Sequence, residues 1–184
     1  MNDLLERETG RRAVIATGGT LAAAAMMPSP LFAGARSPGS EGFDFLLGEW
    51  QVLHRKLRTR LEGSSDWYSF PGTLAVRPIL AGGGNVDENV LEDPAGRYLA
   101  TSLRIFDPKA RRWSVYWIDG RSTGIEKPVI GRFAGRIGSF YNDDEFRGRP
   151  IRVRFTYEDL GPGRARWEQA FSPTRAEAGS RTGL

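Results

Sequence analysis

The sequence predicts an all-β domain, a small antiparallel up-and-down barrel preceded by an export signal. Short runs rich in β-branched and aromatic residues recur between residues 50 and 171, and turn dipeptides such as Asp93-Pro94 and Asp119-Gly120 separate them. Residues 151–156 alternate apolar and polar side chains, which is the two-residue period of a half-buried strand. Many short strands at even spacing favour a sandwich or a barrel, and the meander order favours the barrel.

Nine runs account for the predicted strands, and nothing after the signal sustains a helical period. Residues 43–49 predict a short helical lead-in that delivers Trp50 into the first strand. The predicted strands are residues 50–61, 73–80, 84–91, 98–106, 113–118, 129–137, 138–141, 151–157 and 164–171.

The composition is that of a soluble globular chain long enough for one domain with an appendage. The 184 residues are 40% hydrophobic and 26% charged. The net charge of +4 comes mostly from arginines interleaved with acids, without the clustered basic stripe of a nucleic-acid-binding protein. Because the chain has no cysteine, disulfides and thiolate metal sites are excluded. A large aromatic core must therefore stabilise the domain.

The first 35 residues have the parts of an export signal. Arg11-Arg12 precede an uncharged run at 13–27, and Ala33 and Ala35 supply an A-x-A cleavage site. The paired arginines favour the twin-arginine route, and an ordinary secretory signal is the alternative. We expect an exported, periplasmic protein whose first partner is the export machinery. The apolar run is too short for a stable membrane span.

The chain thus divides into four predicted segments. Residues 1–35 are the signal peptide and residues 36–42 a polar linker. Residues 43–172 form the barrel domain, and residues 173–184 form a polar tail that we expect to be disordered.

Several strings in the domain resemble one known family. They are FDFLLGEWQVLHRKLRTRL, GNVDENVLE, SLRIFDPKARRWSVYWID, PVIGRF and RPIRVRFTYEDLGPGRARWEQAFS. Together they resemble uncharacterised bacterial proteins with a lipocalin-like, calycin-type fold, over about residues 43–172. The resemblance implies a β-barrel with an internal cavity, and it carries no activity with it.

The C-terminus departs from that family pattern. After WEQAFS the family has a Gly-rich turn and a further Trp-containing strand, whereas residues 173–184 are polar. One codon choice for residues 174–179, read in a shifted frame, encodes Asp-Ala-Gly-Gly-Ser-Trp. We therefore hypothesise that a frameshift near residue 173 removed the closing strand. A barrel that lacks one strand has two unpaired edges, which favour aggregation.

His54, the single histidine, lies on the first predicted strand. It could be an axial haem ligand, as in nitrobindin-type barrels, or a general base. A strand-surface or cavity-lining histidine is the structural interpretation, so no cofactor is predicted and haem is the alternative.

The segment 85–89 is the densest polar cluster on a predicted strand. Asn85, Asp87 and Asn89 share one face and Glu88 takes the other, so one set must point inward in a closed barrel. A carboxylate inside a barrel needs a cationic partner. The candidates are Arg77, Arg104, Arg132, Arg152 and Arg154. The cluster predicts a polar ligand anchor or, alternatively, a buried ion-pair network or a solvated edge.

Tryptophans supply the predicted apolar contacts. Trp113 and Trp117 share a strand face, and Trp167 lies on another strand. They line a ligand pocket or fill the core. The acidic run at 143–145 is predicted to be a solvated loop, without the ligand spacing of a calcium site.

The sequence contains no nucleophile elbow, P-loop, dinucleotide fingerprint or metal-ligand motif. The leading hypothesis is therefore a protein that binds a small apolar or amphipathic ligand in a barrel cavity. The predicted ligand residues are His54, Arg77, Asn85, Asp87, Glu88, Arg104, Trp117, Arg132 and Trp167. An enzyme with Asp87 or Glu88 as acid–base, a haem barrel and a non-functional truncated copy are the alternatives.

Overall fold

The computed structural model describes residues 2–6 and 36–174. Nine strands follow one another antiparallel, up and down, and curl into a half-barrel, which confirms the predicted fold class. They are β2 (Gly48–Leu57), β3 (Trp67–Ile79), β4 (Gly84–Leu91), β5 (Tyr98–Asp107), β6 (Arg112–Asp119), β7 (Val129–Ala134), β8 (Ile137–Phe146), β9 (Arg149–Gly161) and β10 (Arg164–Pro173).

A short N-terminal strand, β1 (Asn2–Glu6), lies between the two edges of this half-barrel. Its backbone pairs antiparallel with β2, where Leu4 is opposite Leu53, and with β10, where Leu5 is opposite Ala165. The ten strands then form a closed ring. Strand β1 belongs to the predicted signal peptide. Arg11, Arg12, Ala33 and Ala35 lie outside the described residues, as do residues 175–184 of the predicted tail.

Alternation along each strand decides what enters the core. In β9 the side chains of Ile151, Val153 and Phe155 are buried, and those of Arg152 and Arg154 are exposed. The inward faces of the other strands follow the same two-residue period, because successive side chains point to opposite faces of a sheet. The result is two core clusters, a large aromatic-rich one and a smaller one of Phe70, Leu91 and Ala100.

One end of the barrel is filled by the segment that precedes β2. The predicted helical lead-in is a single 3-10 turn, Asp44–Leu46, which follows a fully buried Phe43. The Phe43 ring packs edge-on against Trp113 and Tyr157, each with ring centroids 5.0 Å apart. The Trp50 indole donates to the Leu46 carbonyl at 2.7 Å, which ties this turn to the first long strand.

Every predicted strand except 84–91 differs from the structure in at least one boundary, and two of the differences change an assignment. The single strand predicted at 129–137 spans parts of two strands in the structure. β7 ends at Ala134, and a turn with Gly135 at φ +60° leads into β8. The acidic run at 143–145, predicted as a loop, lies on β8 and pairs with β9. Cross-strand charge pairing explains the longer strand, because Arg152 Nε lies 3.0 Å from Asp143 Oδ1.

Strand β10 also extends to Pro173, the first residue of the predicted tail, which pairs with Ile151. Within the described residues, no helix has the length and apolarity needed to cross a membrane.

Candidate functional site

Two adjacent spaces lie inside the barrel. The inner cavity, with a volume of about 60 Å³, is lined mainly by residues of β2, β4 and β5. The outer chamber, with a volume of about 380 Å³, lies towards the end of the barrel opposite the Phe43 turn. Tyr98, Trp117 and Trp167 line both spaces, so these three aromatic side chains form the boundary between them.

A buried ion pair stands at the inner cavity. Arg104 Nη2 lies 2.6 Å from Asp87 Oδ2, and both side chains are almost fully shielded from solvent. Asn85 and Asn89 complete the pair: Arg104 Nη1 donates to Asn85 Oδ1 at 2.9 Å, and Asn89 Nδ2 donates to Asp87 Oδ1 at 2.6 Å. We call Asn85, Asp87, Asn89 and Arg104 the polar anchor.

The anchor is built into the strand pairing. Strands β4 and β5 pair at Val86–Leu103 and again at Asn89–Ala100. Between these positions the Ser102 amide donates to Asp87 Oδ1 at 2.7 Å. The carboxylate thus takes the place of the backbone carbonyl that usually accepts such a bond between paired strands. The carboxylate is therefore held from the backbone as well as by Arg104.

Aromatic rings enclose the guanidinium of Arg104. Its Cζ lies 5.3 Å from the Phe43 ring centroid and 5.5 Å from that of Tyr157. Burial lowers the pKa of Arg104, but Asp87 and Tyr157 raise it more, so the net shift is upward and the group stays charged. Arg104 Nε has no hydrogen-bond partner among the described residues.

His54 lines the inner cavity and is only 4% exposed. Its ring stacks on Phe70, with centroids 4.9 Å apart and planes 22° apart. It also lies against the backbone of Gly72, where a Cβ atom would stand 2.7 Å from Nε2. Sequence reasoning missed Gly72, although a glycine inside a strand is a signal of such close approach.

Trp117 and Trp167 form a nearly parallel aromatic pair. Their ring centroids are 6.5 Å apart and their planes differ by 13°. Phe155 packs edge-on against Trp167 at 5.2 Å and completes the wall. The Trp167 Nε1 donor is shielded from solvent and has no hydrogen-bond partner among the described residues.

The other predicted site residues lie outside the cavities. Arg77, Glu88 and Arg132 are exposed on the outer face of the barrel, because they alternate with inward side chains. Arg152 and Arg154, the other candidate partners of the carboxylate, also point outward. Of the arginines considered, Arg104 alone reaches Asp87.

The entrance contains residues that sequence reasoning did not select. Tyr98 follows a turn, and the acidic side chains stand on β6, on the β6–β7 loop and on β8. Asp144 and Glu145 belong to the acidic run that was predicted to be a solvated loop, and the other charged residues form no local motif. The charged residues that line the outer chamber are Arg60, Asp119, Glu126, Lys127, Asp144 and Glu145.

Across residues 2–6 and 36–174, no group of three or more His, Cys, Asp or Glu side chains is placed to hold a metal ion. The inner cavity that His54 faces is much smaller than a porphyrin ring. A macrocycle ligated by His54 would therefore require the barrel to rearrange.

No protein-family model matches the chain, and no curated protein matches it. The structure supports the coarser part of the predicted resemblance, an antiparallel all-β half-barrel compatible with a lipocalin-like fold.

Proposed function

We propose that this protein binds a small amphipathic ligand whose apolar body lies in the outer chamber and reaches the polar anchor through the Trp117–Trp167 boundary. The observation that carries this proposal is the 380 Å³ chamber, which falls in the size range of small-molecule pockets. The fixed ion pair of Asp87 and Arg104 then gives one end of the ligand a polar contact. The lipocalin-like resemblance is consistent with this use of the barrel, and the predicted export signal is consistent with a binding protein outside the cytoplasm.

A neutral fluorescent probe tests the proposal. We expect N-phenyl-1-naphthylamine to bind the full chain saturably, with enhanced probe emission and quenched tryptophan emission. Trp117→Leu should weaken binding about tenfold, equivalent to about 1.4 kcal/mol. The matched control is Trp67→Leu, because Trp67 lies on the outer face beneath Arg55, whose Cζ is 4.7 Å from the ring centroid.

Saturable binding that depends on Trp117 and not on Trp67 supports the chamber as the binding site. Absence of saturable binding, or an equal loss in both variants, would overturn the proposal. Native mass spectrometry of protein purified from the cell envelope then identifies the ligand class by the mass that it carries.

A further inference from the structure

Two shielded donors in the wall of the inner cavity lack a hydrogen-bond partner among the described residues. They are Arg104 Nε and Trp167 Nε1, and both side chains line this cavity. Tyr157 neighbours both: its ring centroid lies 5.5 Å from Arg104 Cζ and 6.4 Å from the Trp167 ring centroid. Because a buried donor without an acceptor is costly, folded proteins seldom keep one unless water or a bound molecule supplies the acceptor. The two donors therefore indicate a ligand that brings an acceptor.

The acceptors beside these donors are already used. Asp87 Oδ1 accepts from the Ser102 amide at 2.7 Å and from Asn89 Nδ2 at 2.6 Å. The other oxygen, Asp87 Oδ2, lies 2.6 Å from Arg104 Nη2, and Asn85 Oδ1 accepts from Arg104 Nη1 at 2.9 Å. A ligand group that donates finds these oxygens engaged, whereas a group that only accepts matches the two remaining donors.

The buried ion pair disfavours a charged head group. Arg104 is the cation that pairs with Asp87, and both side chains are almost fully shielded from solvent. A carboxylate on the ligand would compete with Asp87 for the same guanidinium, and one of two buried anions would then lack a counter-charge. An ammonium group would compete with Arg104 for Asp87 in the same way. A neutral head group avoids both costs because it leaves the pair intact.

The volume of the inner cavity limits the size of the head group. One water-sized group needs about 10–15 Å³ of such a cavity, so the volume of about 60 Å³ holds roughly four of them. An acetyl or aldehyde group fits, and the bulk of the ligand must lie in the outer chamber. The alkyl part of the head group meets apolar side chains in the cavity, namely Leu46, Val52, Leu74 and Leu91.

We propose that the inner cavity receives a neutral carbonyl group, as in a ketone or an aldehyde, whose oxygen accepts from Arg104 Nε and Trp167 Nε1. This inference rests on the proposed function, because it names the head group of the ligand whose apolar body lies in the outer chamber. A carbonyl oxygen satisfies both donors and adds no charge. A hydrocarbon leaves both donors unsatisfied, and a carboxylate disturbs the pair of Arg104 and Asp87.

Three probes of similar shape separate these head groups. Acetophenone, ethylbenzene and benzoate are titrated into the full chain and into Trp167→Phe by isothermal calorimetry. Comparison of the two proteins cancels the difference in hydration between the probes. Trp167→Phe keeps an aromatic ring and removes the donor, so it should weaken acetophenone about fivefold or more and ethylbenzene less than about twofold. Benzoate should bind the natural chain at least about tenfold more weakly than acetophenone.

A second variant and a spectroscopic signal locate the hydrogen bond. Trp117→Phe is the matched control, because Trp117 is the other ring of the stacked pair, with centroids 6.5 Å apart, and its loss should weaken acetophenone and ethylbenzene by the same factor. The infrared carbonyl stretch of bound ¹³C-labelled acetophenone should lie below its position in hexane. Trp167→Phe should reduce this shift, and Trp117→Phe should preserve it.

The outcomes separate the two proposals. If Trp167→Phe weakens acetophenone and ethylbenzene equally, or if Trp117→Phe has the same selective effect, the carbonyl site is overturned and the ligand chamber stands. Benzoate that binds as tightly as acetophenone leads to the same conclusion. If none of these probes and no N-phenyl-1-naphthylamine binds, both proposals are overturned.

Discussion

The backbone amide of Ser102 donates to Asp87 Oδ1 at 2.7 Å, between two strands that elsewhere pair through their backbones. This bond holds the Asp87 carboxylate in place through Oδ1, while its second oxygen, Oδ2, lies 2.6 Å from Arg104 Nη2. The buried charge pair is thus part of the strand pairing, and the polar anchor and the fold depend on each other.

We predict that Asp87→Asn destabilises the protein by about 3–5 kcal/mol, because it leaves the buried Arg104 charge without a partner. Urea unfolding monitored by tryptophan fluorescence measures the change. Glu88→Gln, on the exposed face of the same strand, should stay within about 0.5 kcal/mol of the natural chain. The double variant Asp87→Leu/Arg104→Met should recover part of the loss, and a further additive loss would show that the pair is not the cause.

We predict that Gly72→Ala destabilises the barrel by about 1–3 kcal/mol. A Cβ atom at this position would stand 2.5 Å from the Val90 carbonyl oxygen and 2.7 Å from His54 Nε2. Thermal unfolding measures the effect, and Gly124→Ala is the control because nothing lies within 4 Å of its Cβ position. The double variant Gly72→Ala/His54→Ala should recover only part of the lost stability, because it removes the clash with the imidazole and keeps the clash with the Val90 carbonyl. Equal stability of the two glycine variants would contradict the close approach.

We predict that the ion pair of Lys56 and Asp93 makes the free energy of unfolding depend on pH. Burial raises the pKa of Asp93, but bonds from the Ala95 amide, Lys56 and Tyr68 lower it more, so the folded value lies below the ordinary one. The stabilisation is therefore complete above the unfolded-state pKa of about 3.9 and is lost as pH falls through the lower folded value.

The difference in unfolding free energy between the natural chain and Asp93→Asn checks this prediction. It should be constant, at about 1–3 kcal/mol, from pH 7 to about pH 5 and shrink below about pH 4. Asp66→Asn, which removes an exposed pair with Arg58, should leave the pH profile unchanged. A difference that grows on acidification would refute the assigned sign.

We predict that removal of residues 1–35 opens the ring between β2 and β10, because β1 supplies pairing to both strands. The processed chain should be less stable than a full chain with Arg11 and Arg12 replaced by lysine, and it should self-associate in sedimentation velocity. Leu53→Lys, at a 54% exposed position on the β2 edge, should suppress that association. A processed chain that is monomeric and equally stable would contradict the prediction.

Much of the fold was predictable because it depends on local pattern. The two-residue alternation and the turn dipeptides identified all nine strands from β2 to β10, and β4 was bounded correctly at both ends. The β7–β8 boundary was missed because a tight turn at Gly135 interrupts an otherwise continuous run of strand-forming residues. The extension of β8 through Asp143 was missed because the partner of Asp143, Arg152, comes later in the chain.

The sequence by itself determined an antiparallel meander and the shared face of Asn85, Asp87 and Asn89, because a period of two is local. Only the tertiary structure decided which face turns inward and which arginine meets the carboxylate. Barrel closure brings Arg104 to Asp87 and Trp117 to Trp167, and it gathers Glu126 and Asp144 at one rim. These contacts join residues distant along the chain, and their geometry follows from strand register and curvature, which no local pattern specifies.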